Sequence, residues 1–242
     1  MRLDKFLASA GIGSRTEVKN ILKKGRVRVN GTFIKDPSYS VDENKDTVLL
    51  DNSPVVFEQY RYYMFNKPAG CVSATKDGLS QTVIDYLKGE NTKDLFPVGR
   101  LDKDTEGLLL ITNDGKLAHN LLSPKKHVDK MYHAYVDKKL TGEELEIFKT
   151  GIEIGDDTPT LPAKISLIEN NDKPGLYLYE VIIHEGRYHQ VKRMFEAFGS
   201  NVVYLRRLSI GPLVLDESMA EGMYRRLTDE EKMLLRDGVV YT

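Results

Sequence analysis

Apolar and polar positions along this chain switch repeatedly between a helical period and a period of two. In residues 2–10, RLDKFLASA, Leu3, Phe6, Leu7 and Ala10 share one face at helical spacing, which predicts a short helix broken by Gly11-Ile12-Gly13. Ser14-Arg15-Thr16-Glu17 sets a hydroxyl three residues before a glutamate, a capping box. It predicts a second helix to about Lys24, with Val18, Ile21 and Leu22 inward and Gly25 as its stop. Arg26 to Gly31 alternates as a strand running into an Asn-Gly turn, and Val48 to Asp51 supplies another short strand. Asn52 to Gln59 reads as a linker.

From Tyr60 the pattern changes. Arg61 to Asn66 reads as a strand, Lys67-Pro68-Ala69-Gly70 as a turn, and Ser80 as the cap of a helix containing Val83, Ile84 and Leu87. Leu108 to Ile111 is an apolar run ended by Asn113-Asp114-Gly115, a buried strand followed by a helix carrying Leu117, Leu121 and Leu122. In Lys130 to Val136, Met131, His133 and Tyr135 alternate against Tyr132, Ala134 and Val136, which predicts a strand. Thr141-Gly142-Glu143-Glu144 starts a capped helix to about Thr150. Ala163 to Glu169 and Leu176 to His184 are strands joined by the turn-rich Asn170-Asn171-Asp172-Lys173-Pro174-Gly175. Arg187 to Phe198 reads as a helix with Val191, Met194, Phe195 and Phe198 inward, closed by Gly199. Val202 to Ile210 forms one longer strand interrupted by two arginines, and Thr228 caps a final helix. Strands outnumber helices and several adjoin through hairpin-like links. The expected class is α+β, with a mixed, mainly antiparallel sheet flanked by helices.

Composition adds limits. At 242 residues the chain can form one or two domains. No apolar run approaches the roughly 18 residues of a membrane span, and MRLDKFLASAG lacks the apolar stretch of a secretory signal. The single cysteine, Cys71, excludes an internal disulfide and a CxxC metal site. A cytoplasmic location is expected. The net charge of −1 conceals an asymmetry: residues 1–35 hold nine basic and two acidic groups, +7, whereas the other 207 hold 26 basic and 34 acidic, −8. One segment is therefore expected to meet a polyanion. Arg2, Lys5, Arg15, Lys19, Lys23, Lys24, Arg26 and Arg28 form the candidate phosphate-facing surface; a merely solvated basic helix is the plainer alternative.

Two stretches carry candidate chemistry. Gly99-Arg100-Leu101-Asp102-Lys103-Asp104-Thr105-Glu106-Gly107 packs two basic and three acidic residues against the buried strand. It is either a surface loop of ion pairs or a site that sets a carboxylate beside a guanidinium. His184-Glu185-Gly186-Arg187-Tyr188-His189-Gln190-Val191-Lys192-Arg193 reads as a strand end, a glycine turn and a helix N-terminus rich in donors, suited to phosphate or to a carboxylate. Arg187, His189 and Arg193 are its candidate RNA contacts. His184 and His189 are five apart across a glycine and do not share a helix face as a zinc pair would. Cys71 has no base nearby in sequence and reads as a small buried hydrophobe. There is no GxSxG, P-loop or dinucleotide fingerprint, so no metal or cofactor is expected.

The unit RLDKFLASAGIGSRTEVKNILKKGRVRVNG resembles the S4 RNA-binding domain, expected over residues 1–58. In the remainder, 59–242, Lys67-Pro68-Ala69-Gly70, Gly99-Arg100-Leu101-Asp102 with Glu106-Gly107-Leu108-Leu109, Lys130-Met131-Tyr132, and Glu185 to Met194 stand in order. Together they resemble a pseudouridine synthase of the RsuA family, which modifies ribosomal RNA. The wording YHQVKRM is similar to the small-subunit (16S) branch; in the large-subunit branch an Asn-Arg pair usually replaces Tyr188-His189.

The resemblance implies roles. Asp102 falls on the catalytic aspartate, Tyr132 on the tyrosine that stacks under the target uracil and is implicated in proton abstraction, and Lys192 on the basic position that pairs with the aspartate. Arg100 falls on the arginine that holds the place of the flipped-out nucleotide, and Leu205 on the apolar residue lining the pocket. Uridine isomerisation involves no redox step or net hydrolysis, so a carboxylate is the minimum equipment, as a nucleophile or as a base at C2′ giving a glycal. The implied partner is ribosomal RNA or an assembling small subunit, met by a monomer without a membrane. A 23S rRNA synthase and a non-catalytic S4-type RNA-binding or ribosome-assembly protein remain as alternatives.

Overall fold

The computed structural model describes residues 1–169 and 172–240, so Asn170 and Asn171 of the expected hairpin link lie outside the described residues. The chain divides into two compact units, Met1–Tyr60 and one that begins at Arg61. The first holds α1 (Leu3–Ser9), α2 (Arg15–Lys23), β1 (Val27–Val29), β2 (Thr32–Phe33), β3 (Val48–Leu50) and β4 (Ser53–Pro54). Ser14 Oγ accepts from Glu17 N at 3.3 Å and Ser14 N donates to Glu17 Oε2 at 2.7 Å, the reciprocal cap expected. Asn30 (φ 50°) and Gly31 (φ 83°) both take left-handed backbone, which gives the tight turn between β1 and β2. The sheet order is β2-β1-β3-β4, so the expected linker opens with a strand that belongs to this unit. Leu3, Phe6, Leu7, Val18, Leu22, Val27, Val29 and Val48 form its core.

The second unit contains β5 (Tyr62–Lys67), β6 (Phe96–Pro97), β7 (Glu106–Thr112), α3 (Gly115–Leu122), β8 (Lys130–Val136), α4 (Gly142–Phe148), β9 (Lys164–Ile168), β10 (Tyr177–Ile183), α5 (Gln190–Glu196), β11 (Val202–Ile210), β12 (Leu213–Val214), β13 (Tyr224–Arg226) and α6 (Asp229–Val240). Among the described residues its sheet has nine strands, ordered β13-β5-β7-β11-β8-β10-β9, with β12 on β11 and β6 on β7. β7 and β11 run parallel; the other pairings are antiparallel. Alternate residues of β5 and β7 feed opposite cores. Tyr63, Phe65, Leu109 and Ile111 join Phe148 of α4 and Met194 and Phe195 of α5. Met64, Leu108 and Leu110 join Leu117 and Leu121 of α3 and Leu235 of α6. Both faces are thus covered here, which explains why β7 reads as a continuous apolar run.

Two elements differ from expectation. The helix expected after Ser80 is a single 3-10 turn, Val83–Tyr86, capped by Thr82 with Asp85 rather than by Ser80. The helix expected from Arg187 begins at Gln190, because His189 sits in left-handed backbone (φ 49°). Among the described residues no helix is long and apolar enough to cross a membrane.

Candidate active site

The charged loop between β6 and β7 is fixed through its main chain. Lys67 ends β5 in phase with inward Tyr63 and Phe65, and its side chain is fully buried. Its Nζ donates to the carbonyls of Asp102 (2.9 Å), Thr105 (2.8 Å), Pro68 (3.1 Å) and Lys103 (3.3 Å). Gly70 N donates to Lys103 O at 2.7 Å. Ser73 Oγ accepts from Leu101 N at 3.0 Å and donates to Leu101 O at 2.8 Å. Burial pushes the Lys67 ammonium below the ordinary lysine value, opposed by nearby Asp104, Asp102 and Glu106. In sequence Lys67 reads only as part of a turn; its phase with Tyr63 and Phe65 was the available signal.

On that loop Asp102 projects toward α5. Its Oδ2 lies 3.2 Å from Lys192 Nζ and its Oδ1 3.4 Å from His189 Nε2. Lys192 also donates to Asp104 Oδ1 at 2.6 Å, so one ammonium serves two carboxylates. Partial burial works against the Lys192 charge, but the hydrogen bond to Asp104 and the charge of Asp102 outweigh it and hold the ammonium above its ordinary value. Burial likewise pushes the Asp104 carboxyl up, and Lys192 more than reverses this, leaving it low. Asp104 is therefore part of the electrostatics of this site.

Asp102 opens into a cavity of about 60 Å³ whose lining includes Arg100, Leu101, Tyr132, Ile183, His189, Val191 and Leu205. Tyr132 and Leu205 come from adjacent strands β8 and β11 and are nearly buried. A row of paired positions crosses the sheet beneath the loop: Lys67 opposite Gly107, Gly107 beside Arg207, Arg207 opposite Tyr132. A fixed carboxylate, a cation against it, and a tyrosine and a leucine lining one cavity can hold a planar base and move a proton beside it.

The family described as RNA pseudouridylate synthase matches residues 61–197, and the S4 domain family matches residues 1–46. The chain belongs to the RNA pseudouridylate synthase family. A Bacillus subtilis (strain 168) protein named uncharacterized RNA pseudouridine synthase YtzG is 48% identical over 98% of this chain and 99% of its own length. The ribosomal small subunit pseudouridine synthase A of Vibrio cholerae is 40% identical over 96% of this chain and 97% of its own. A crystal structure of a pseudouridylate synthase aligns with a TM-score of 0.67 at 36% identity, covering 97% of this chain and 99% of that one. The architecture is thus an S4 domain followed by an α+β pseudouridine synthase fold, and the chain is an enzyme of that class.

The other expected contacts of this synthase divide into free and engaged. Arg100 is exposed and has no hydrogen-bond or ion-pair partner among the described residues. Arg187, expected to meet RNA, is spent on the protein: Nε donates to Glu185 Oε2 (3.0 Å), Nη1 to Thr158 O (2.6 Å) and Nη2 to Pro159 O (2.7 Å). Arg193 is likewise committed, to Ile154 O, Tyr188 O and Asp156 Oδ1. These two guanidiniums tie the 154–159 segment to the stretch around the start of α5, and Arg187 also lines the cavity. The two histidines face different carboxylates, His184 Nδ1 toward Asp129 at 2.8 Å and His189 toward Asp102.

In the S4 unit Arg15, Lys19 and Lys23 follow at i, i+4, i+8 along α2 and are exposed, as are Lys5 and Lys24. Arg2 and Arg26, also exposed, are bonded to Asp4 and Asp51, and Arg28 lies 4.2 Å over the Phe33 ring. Sequence reading also missed two buried cations beside Tyr132. Lys130 donates to Val128 O at 3.1 Å and Arg207 Nε to Leu108 O at 2.8 Å. The fully buried Arg207 Nη2 has no partner among the described residues.

Proposed function

We propose that this enzyme converts one uridine of small-subunit (16S) ribosomal RNA to pseudouridine, with Asp102 as the reacting carboxylate. The observation that carries the reading is that Asp102 is the one carboxylate among the residues lining the cavity. Relatives named ribosomal small subunit pseudouridine synthase A at 38–40% identity support the choice of RNA. The target leaves the helical stack and enters the cavity, where Tyr132 and Leu205 receive its ring and Arg100 takes its place in the RNA. Asp102 removes the C2′ proton as the C1′–N1 bond breaks, giving a glycal and a uracil anion. The base turns, C5 bonds to C1′ and the proton returns to C2′. Tyr132 takes part in removing the C5 proton, and N1 gains one, so no atom is lost. Lys192, 3.2 Å from Asp102 Oδ2, is the cation set against the reacting carboxylate. Arg15, Lys19 and Lys23 dock the RNA backbone.

The test is Asp102→Asn. This variant is expected to fold and to bind RNA while forming no pseudouridine; normal product would overturn the assignment. Pseudouridine positions in ribosomal RNA from a strain lacking the gene should show the loss of a single 16S position.

A further inference from the structure

The cavity wall continues outward into an aromatic pair that the reaction does not use. The rings of Tyr188 and His189 stack with centroids 3.8 Å apart and planes at 17°. His189 lines the cavity, whereas Tyr188 lies outside it and is 72% exposed. The pair is held from several sides. His189 takes left-handed backbone at the N-cap of α5 and turns its ring edge to Asp102, 3.4 Å away. Arg193 Nη1 donates to Tyr188 O at 3.0 Å, and Arg187 N donates to Gln190 Oε1 at 2.9 Å. A freely solvated tyrosine keeps its rotamer entropy; here the backbone is fixed on both sides and one ring face is already covered.

We infer that Tyr188, backed by His189, is a stacking shelf for the nucleobase next to the target uridine. This rests on the reading that the Asp102 cavity receives a flipped-out uridine. Flipping costs a few kcal/mol, in part because the adjacent base loses its stacking neighbour. An aromatic face one ring beyond the cavity wall replaces that neighbour. Stacking of this kind tolerates any base, because every base has a π-face. The shelf therefore fixes the RNA strand at the mouth of the cavity without reading its sequence, and the tyrosine hydroxyl is dispensable.

The experiment uses the full-length enzyme and RNA fragments made in vitro around the mapped target. Tyr188→Phe should keep KM within about twofold, whereas Tyr188→Ala should raise it about tenfold with a smaller change in kcat. The exposed ring predicts an unchanged thermal midpoint for both. An abasic nucleotide placed immediately 5′ or 3′ of the target should weaken the wild type about tenfold at one of the two positions. At that position Tyr188→Ala should lose nothing further, the signature of a shared interaction. Additive losses at both positions, or an unchanged KM for Tyr188→Ala, would overturn the shelf. If the wild type makes no pseudouridine on the unmodified RNA, the functional reading fails instead, before any variant is compared.

Discussion

The buried ammonium of Lys67 donates to the main-chain carbonyl of Asp102 at 2.9 Å, while the carboxylate of the same residue faces Lys192 at 3.2 Å. Four carbonyls accept from this one group, and two of them, Asp102 O and Lys103 O, also accept from Thr105 N and Gly70 N. Lys67→Met would leave them short of donors in a place water does not reach, at a cost of about 2–4 kcal/mol. Urea unfolding should show this loss, and single-turnover assays below the midpoint should show kcat falling more than KM rises, because the carboxylate is displaced rather than removed. Lys67→Arg should fail as well, since a fully buried site has no room for the longer fork. A Lys67→Met protein of normal stability and normal turnover would show that the loop is held by other means.

Gly107 marks where β7 and β11 approach in parallel. It has φ 97°, and a Cβ there would lie 2.9 Å from Arg207 N and closer still to Arg207 O. Gly107→Ala combines a left-handed backbone penalty of roughly 1–2 kcal/mol with a clash against main chain that cannot rotate away. The expected result is a destabilisation of about 3 kcal/mol or more, read as a lowered unfolding midpoint with the denaturant slope unchanged. Gly115 offers the comparison: nothing stands within 4 Å of a Cβ there, so Gly115→Ala should change stability little.

How far the sequence carried depends on whether each signal was local. β8 was legible because Met131, His133 and Tyr135 alternate with Tyr132, Ala134 and Val136, and the helix caps at Ser14, Thr141 and Thr228 were legible because each needs only four consecutive residues. Asp102 was not distinguished from Asp104 by pattern; the order of the surrounding motifs singled it out. The start of α5 was misplaced because His189, with neither glycine nor proline to mark it, adopts left-handed backbone under contacts with Asp102 and Tyr188. The protein acceptors of Arg187 and Arg193 at 154–159 were not legible, because they lie roughly thirty residues away in sequence, where no local pattern points to them. The parallel pairing of β7 with β11, and with it the closeness of Gly107 to Arg207, joins strands about a hundred residues apart.

Lys130 gives a pH dependence with a definite sign. Burial, then the charge of Arg207, pushes its ammonium down to about 8. The unfolded chain keeps that proton to about 10.4. Between these values the unfolded state binds more protons, so this group makes the folded state more stable as pH rises from about 8 to about 10. Below pH 8 the folded state bears the full cost of the buried charge, on the order of 3 kcal/mol. Lys130→Met should therefore raise the unfolding free energy at pH 7, with a gain that shrinks as pH rises toward 10. Urea unfolding of both proteins at pH 7, 8.5 and 10 checks this. A gain that is constant with pH would mean that Lys130 keeps its proton in the folded state as it does in the unfolded chain, with no downward shift.

Arg15, Lys19 and Lys23 form one exposed stripe on α2, whereas Arg2 and Arg26 are already bonded to Asp4 and Asp51. Exposed cations that meet phosphates release counterions, so their contribution is read in the salt dependence of binding rather than in affinity at one ionic strength. The double variant Lys19→Glu/Lys23→Glu should weaken binding of substrate RNA and flatten the plot of log Kd against log salt by about one unit for each phosphate no longer neutralised. Folding should be untouched, since both side chains point to solvent on a helix whose inner face is Val18 and Leu22. Arg2→Gln and Arg26→Gln remove charges that already have carboxylate partners, and should change the slope less. Binding and slope equal to wild type in the double variant would show that the RNA docks elsewhere, and would leave the α2 stripe as a solvated face.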